Sequence, residues 1–116
     1  MSSAQLTPTI ESYKTALREL SPLPFHHAAI ILFHYRRNGV ATATELANDM
    51  QYKSYRAINL HYGKFAAGLC DQLGLQRNFW AILDGAEPND DNGQLELVMR
   101  QEFVAALESL GLVTKE

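Results

Sequence analysis

Between Thr42 and Gly74 the chain carries the start and stop signals of two consecutive helices, and no other stretch restricts the fold as much. Thr42-Ala43-Thr44-Glu45 is a capping box: the threonine oxygen and the glutamate carboxylate each satisfy a backbone amide that the first helical turn leaves open. It predicts a short helix over 43–49 with Leu46 and Ala47 inward. A turn follows around Met50-Gln51, and Ser54 is placed to cap a second helix over 55–73. There Ile58, Tyr62, Phe65, Leu69 and Leu73 recur every three or four residues, which makes one apolar stripe. Gly74 ends it, because glycine takes the left-handed closing conformation at little cost. A short helix, a tight turn and a longer helix form a helix-turn-helix pattern, here about 42–74, although the turn lacks the usual glycine.

The flanking segments fit around this unit. Ile10, Tyr13, Leu17 and Leu20 predict an amphipathic helix over 9–20, ended by Ser21-Pro22-Leu23-Pro24 because proline cannot continue the hydrogen-bond ladder. Residues 25–37 are apolar around much of their circumference and predict a central helix. Asn38-Gly39 closes it, with Arg36 and Arg37 in the last turn, where the helix dipole favours cations. Phe79-Trp80-Ala81-Ile82-Leu83 and Leu95-Glu96-Leu97-Val98-Met99 read as strands, and the turn-rich DGAEPNDDNGQ between them makes a hairpin with an acidic tip, about 79–99. Residues 100–110 predict a last helix with Phe103, Leu107 and Leu110 inward, capped by Gly111. The expected fold class is mainly α (α+β). It is a winged helix-turn-helix with two N-terminal helices, a β-hairpin wing and a C-terminal helix, in one domain over residues 1–116.

Several chemistries find no support. The single cysteine, Cys70, excludes an internal disulfide and a multi-cysteine zinc site, and reads as a buried structural thiol. His26, His27, His34 and His61 have no carboxylate or thiol at ligand spacing, so no metal is expected. The loop acids do not follow calcium-loop spacing, and no nucleotide-binding glycine pattern or nucleophile elbow occurs. The expectation is a chain without cofactor and without enzymatic activity. Residues 1–13 lack the basic and apolar regions of a signal peptide, and the longest apolar run, 28–33, is too short to span a bilayer. A cytoplasmic location away from membranes is therefore expected.

Charge gives direction. The whole chain is at −3, yet residues 36–77 sum to +3 and residues 78–116 to −6. Residues 52–69, YKSYRAINLHYGKFAAGL, hold two lysines, an arginine and three tyrosines, with no acid. With the stripe turned inward, Arg56, Leu60, Gly63 and Ala67 fall on the opposite side, Lys53 and Lys64 on one flank and Asn59 on the other. Each type has a use in a DNA groove. Lysine and arginine neutralise phosphates, arginine reads guanine, asparagine reads adenine, and an exposed leucine meets a 5-methyl group. Gly63 lets a ligand or a bulky neighbour such as Trp80 approach closely. The candidate DNA-binding set is Tyr52, Lys53, Ser54, Tyr55, Arg56, Asn59, Leu60, Gly63 and Lys64.

These residues also carry a resemblance. TATELANDMQYKSYRAINLHYGKFAAGLCDQLG, then a strand containing Phe-Trp, then LVMRQEFVAALESLGLV, resembles a domain at the N-terminus of bacterial HNH-type restriction endonucleases. The shared pattern runs T-A-x-E-L-A, then Y-K-S/N-Y-x-A-x-N-x-x-Y-G-x-L/F, then W/M-R-x-E and L-G-x-V. It covers about residues 40–113 and falls on Thr42 to Ala47, Tyr52 to Phe65 and Met99 to Val113. The resemblance implies a module that recognises double-stranded DNA for a nuclease, including DNA with a modified base such as a methylated one. No H-N-H catalytic segment is present, so the chain itself is not expected to cut DNA. It is either one domain of a longer enzyme or a standalone relative.

The alternative expectation is a small protein-binding inhibitor or adaptor of the anti-CRISPR or anti-restriction type, acting in phage defence. There the acidic C-terminal third, with Asp84, Glu87, Asp90 and Asp91, would occupy a basic nucleic-acid channel of a defence-complex protein.

Overall fold

In a computed structural model of the protein, which describes residues 8–88 and 95–115, five helices pack together with a small antiparallel sheet at one side, against α2 and α3. The chain is thus mainly helical with a minor β component. Helix α1, Ile10–Leu20, starts where the Thr9 hydroxyl accepts the Ser12 amide at 3.0 Å. It buries Tyr13, Ala16 and Leu17. Helix α2, Phe25–Arg36, begins after Pro24 and buries Ile30, Ile31, His34 and Tyr35. Asn38 and Gly39 both take positive φ, 60° and 77°, which turns the chain sharply into β1, Val40–Thr42.

Strand β1 has no counterpart in the sequence reading. Three residues are too few to display alternation, and pairing comes from far along the chain. Val40, Ala41 and Thr42 lie opposite Val98, Leu97 and Glu96 of β3, Leu95–Met99. Thr42 ends the strand and caps α3, Ala43–Met50, with both halves of the capping box formed: Glu45 amide to Thr42 Oγ1 at 3.0 Å, and Thr42 amide to Glu45 Oε1 at 2.9 Å. Helix α4, Tyr55–Leu73, occupies the predicted span between the Ser54 cap and a left-handed Gly74.

The reading of 79–83 as a strand is corrected. Phe79–Ala81 forms a 3-10 turn, closed by the Ile82 amide on the Phe79 carbonyl at 3.0 Å. Ala81, Ile82 and Leu83 are buried in succession, whereas a strand alternates its faces. Residues 81–83 plug the core, and the Tyr13 hydroxyl donates to the Ala81 carbonyl. Burial pushes the Tyr13 phenol up to about 12. The strand lies further on: β2, Leu83–Pro88, takes residues that were expected in the loop, pairs with β3, and shifts register between Leu83 and Gly85. The sheet order is β1-β3-β2.

Helix α5, Gln101–Ser109, buries Phe103, Ala106 and Leu107. Leu110, expected inward, lies just past its end and is half-buried. The core gathers these residues with the α4 stripe, and Phe103 packs its ring 5.7 Å from Tyr13 and 5.9 Å from Phe65. Cys70 is buried, its thiol donating to the Asn78 carbonyl at 3.5 Å. Among the described residues no helix is long and apolar enough to cross a membrane.

Candidate nucleic-acid interface

The turn between α3 and α4 is built by Gln51, which takes the left-handed conformation that glycine usually supplies (φ 61°) and closes α3. The Tyr52 amide then donates to Ala47 at 2.9 Å, and the Ser54 hydroxyl accepts the Arg56 amide at 3.1 Å. These bonds fix how α4 leaves the turn. Its stripe of Ile58, Tyr62, Phe65 and Leu69 is buried together with Ala66 and Cys70. The other side faces water at its N-terminal end: Lys53, Ser54, Tyr55, Arg56, Asn59, Leu60 and Lys64 are all exposed, Tyr55 by 46% and Leu60 by 55%.

Charge pairing separates these cations from several others. Arg37 holds Asp49 through two hydrogen bonds, 2.7 and 2.9 Å, and lies 3.6 Å from Glu45. Arg77 holds Asp71 in the same two-pronged way, at 3.0 and 2.7 Å. The guanidinium keeps the Asp71 carboxyl below its ordinary range. Lys14 lies 3.5 Å from Glu11. Among the described residues Lys53, Arg56 and Lys64 make no ion pair. An acid-free helix segment can leave its cations in water, whereas Asp49 and Asp71 engage the arginines near them.

Three members of the candidate set have structural work. Ser54 is the cap of α4. The Tyr52 hydroxyl is hydrogen-bonded to His26 Nδ1, and its ring lies 5.9 Å from that of His61. Gly63 faces Phe79: a Cβ at this position would meet Phe79 Cζ at 3.6 Å, an ordinary contact. Phe79 of the 3-10 turn is thus a bulky neighbour, and it lines a cleft with Gly63, Ala67, Arg77 and Asn78, while the Trp80 side chain expected here lies outside the described residues. The exposed residues of α4 are Tyr55, Arg56, Asn59, Leu60 and Lys64 in its first turns and Asp71 and Gln72 in its last.

A cluster that linear spacing does not reveal adjoins this surface. His26 and His61 stack with ring centroids 4.7 Å apart and planes 9° from parallel. His27 meets His61 edge-on at 6.0 Å, and Phe25, 75% exposed, meets His26 at 5.5 Å. The pairing arises because α2 and α4 cross here. The fourth histidine sits deeper in the same helix pair. His34 is fully buried, with Nε2 2.8 Å from the Leu97 carbonyl and Nδ1 2.7 Å from the Tyr62 hydroxyl. A carbonyl only accepts, so Nε2 carries the proton and Nδ1 accepts from Tyr62. Burial pushes His34 down to about 4, with the Leu97 bond opposing, and burial also raises the Tyr62 phenol.

Of the acidic residues considered for a protein partner, Asp84 is exposed and lies 3.7 Å from Arg100. Glu87 is opposite Glu96 in the β2–β3 register. Asp90 and Asp91 lie outside the described residues. No group of three or more histidine, cysteine, aspartate or glutamate side chains among the described residues is placed to hold a metal. Comparison with known proteins adds no relative: no family model, curated protein or solved structure matches the chain.

Proposed function

We propose that the protein is a DNA-binding recognition module of the winged helix-turn-helix kind, with α4 entering the major groove. The observation that carries this reading is the exposed trio Lys53, Arg56 and Lys64, which makes no ion pair among the described residues, on a segment without an acid. The element order supports it as well. Helix α2, strand β1, helices α3 and α4 and strands β2 and β3, in sheet order β1-β3-β2, match the arrangement in which a second helix is presented beside a hairpin wing. Lys53, Arg56 and Lys64 contact phosphates, while Asn59 and Leu60, with Arg56 where it reaches inward, face the bases. Leu60 suits a 5-methyl group, on thymine or on a methylated cytosine. The resemblance to the recognition domain of HNH-type restriction endonucleases adds a role: reading modified DNA for a nuclease.

Fluorescence anisotropy of labelled duplexes, plain and methylated, at two salt concentrations tests the reading. Three phosphate contacts give an affinity that falls with salt at a log–log slope near about −3. Arg56→Ala/Lys64→Ala should reduce that slope by about 2 and weaken binding at low salt by about tenfold or more, with unchanged thermal stability. Tighter binding to the methylated duplex supports the modified-base role. Absence of binding at low salt, or equal binding by the double variant, overturns the module.

The −6 charge of residues 78–116 favours a second reading, a protein that occupies a partner's basic channel. It takes the lead if no duplex binds.

A further inference from the structure

We propose that the solvent end of the α2–α4 interface, formed by His26, His27, His61 and Lys64, is a proton-gated site for a phosphate group. This inference rests on the DNA reading only for the source of that phosphate, the backbone beside α4. Helix α2 contributes His26 and His27, the turn before α4 contributes the Tyr52 phenol, and α4 contributes His61 and Lys64. His26 is exposed, and His27 and His61 are half-buried. The ring stack and the Tyr52 bond hold the imidazoles together before any ligand arrives. Among the described residues the ring nitrogens of His27 and His61 make no hydrogen bond, so they remain available to a ligand.

Electrostatics sets the ligand's sign. Partial burial holds His27 and His61 below the ordinary imidazole range, and the charged neighbours that add to this are cations: His61, His26 and Lys64 for His27, and His26 and Lys64 for His61. Among the described residues no carboxylate acts on either ring. His27 and His61, packed edge-on beside His26 and Lys64, resist protonation until an oxyanion neutralises them. Binding of the anion and uptake of the proton are therefore linked, and each promotes the other. A phosphodiester keeps its single negative charge across the histidine range, so the pH dependence belongs to the protein. The site strengthens as pH falls through the lowered imidazole range and fades above it.

Two arms test this on the full chain. In the first, the imidazole Cε1–H resonances are titrated by NMR in chloride and in inorganic phosphate at matched ionic strength. Phosphate should raise the midpoints of His27 and His61 by about half a unit or more while buried His34 stays unmoved. Unchanged midpoints overturn the site. In the second, duplex affinity is measured at pH 7.5 and 5.5 at constant salt. It should rise about tenfold on acidification, with the salt slope steeper by about 1. In His26→Gln/His61→Gln the gain should fall below twofold. Duplex binding without a pH gain overturns the site and leaves the DNA module standing. Midpoints raised by phosphate, with no duplex bound at either pH, overturn the module and support the site for a free phosphate.

Discussion

Helix α2 makes two contacts from the same two residue types, histidine and tyrosine, with opposite consequences. At the inner end His34 meets Tyr62, and at the outer end His26 meets Tyr52 with His61 stacked alongside. Inside, both imidazole nitrogens are satisfied and water is excluded, so the pair is a strut that joins α2, α4 and β3. Outside, His26 is exposed, His27 and His61 are half-buried, and among the described residues no acid acts on those two. Burial and satisfied partners turn histidine into structure. Exposure with cationic neighbours leaves it as chemistry.

Acid should separate the two ends most strongly. The unfolded chain protonates His34 near 6.5, while the folded protein keeps it neutral to about 4. Between those values the unfolded state binds the extra proton, so stability is full above pH 6.5 and falls as the pH drops. The loss is roughly 1.4 kcal/mol per unit, or about 3 kcal/mol across the window. His27 and His61 act in the same sense but are too exposed to weigh much. Asp71 is held below its ordinary 3.8 by Arg77, so its contribution is lost only below this window. Urea unfolding at pH 7.5 and 5 should differ by about 2 kcal/mol. A flat response would mean that His34 takes a proton in place, and the strut would be no different from the outer cluster.

Deleting one hydroxyl at each end is the matched, smaller test. Tyr62→Phe leaves His34 Nδ1 buried without a donor, at a cost of about 1–3 kcal/mol. Tyr52→Phe removes the partner of the exposed His26, where water substitutes, and should change stability by less than about 0.5 kcal/mol. Equal losses in urea would break the comparison and make the outer cluster a second strut.

What the sequence could convey follows the range of the interaction. The ends of α3 and α4 were legible because Thr42, Ser54 and Gly74 act on backbone groups within a few residues. The outward positions of Arg56 and Leu60 followed from the inward stripe in the same local way. Strand β1 was not legible, since its partner lies in β3 and three residues carry no pattern. The run 79–83 was misread because a strand and a core plug can share one composition; Tyr13, 68 residues from Ala81, helps hold it as a plug. The histidine stack was invisible for the same reason. His26 and His61 lie far apart in the chain, and only the crossing of α2 with α4 brings them together.

Gly63 gives the smallest expected effect and the finest division of α4. Its neighbour Tyr62 points into the strut and its neighbour Lys64 acts on the outer cluster, while Gly63 itself turns toward Phe79. A glycine inside a helix costs up to about 1 kcal/mol relative to alanine. The space beside it accepts a methyl group at 3.6 Å from Phe79 Cζ without a clash. Gly63→Ala should therefore stabilise the protein by about 0.5–1 kcal/mol and leave both ends of the α2–α4 contact intact. Duplex affinity should stay within about twofold, because Phe79 rather than DNA occupies the near side of this position. Urea unfolding and anisotropy on the same variant check both halves. Stabilisation with binding retained confines the DNA-facing surface to the first turns of α4. Stabilisation with binding lost would mean that the duplex displaces Phe79 and approaches the helix backbone at Gly63, so that the groove-facing surface runs past Lys64 toward Ala67.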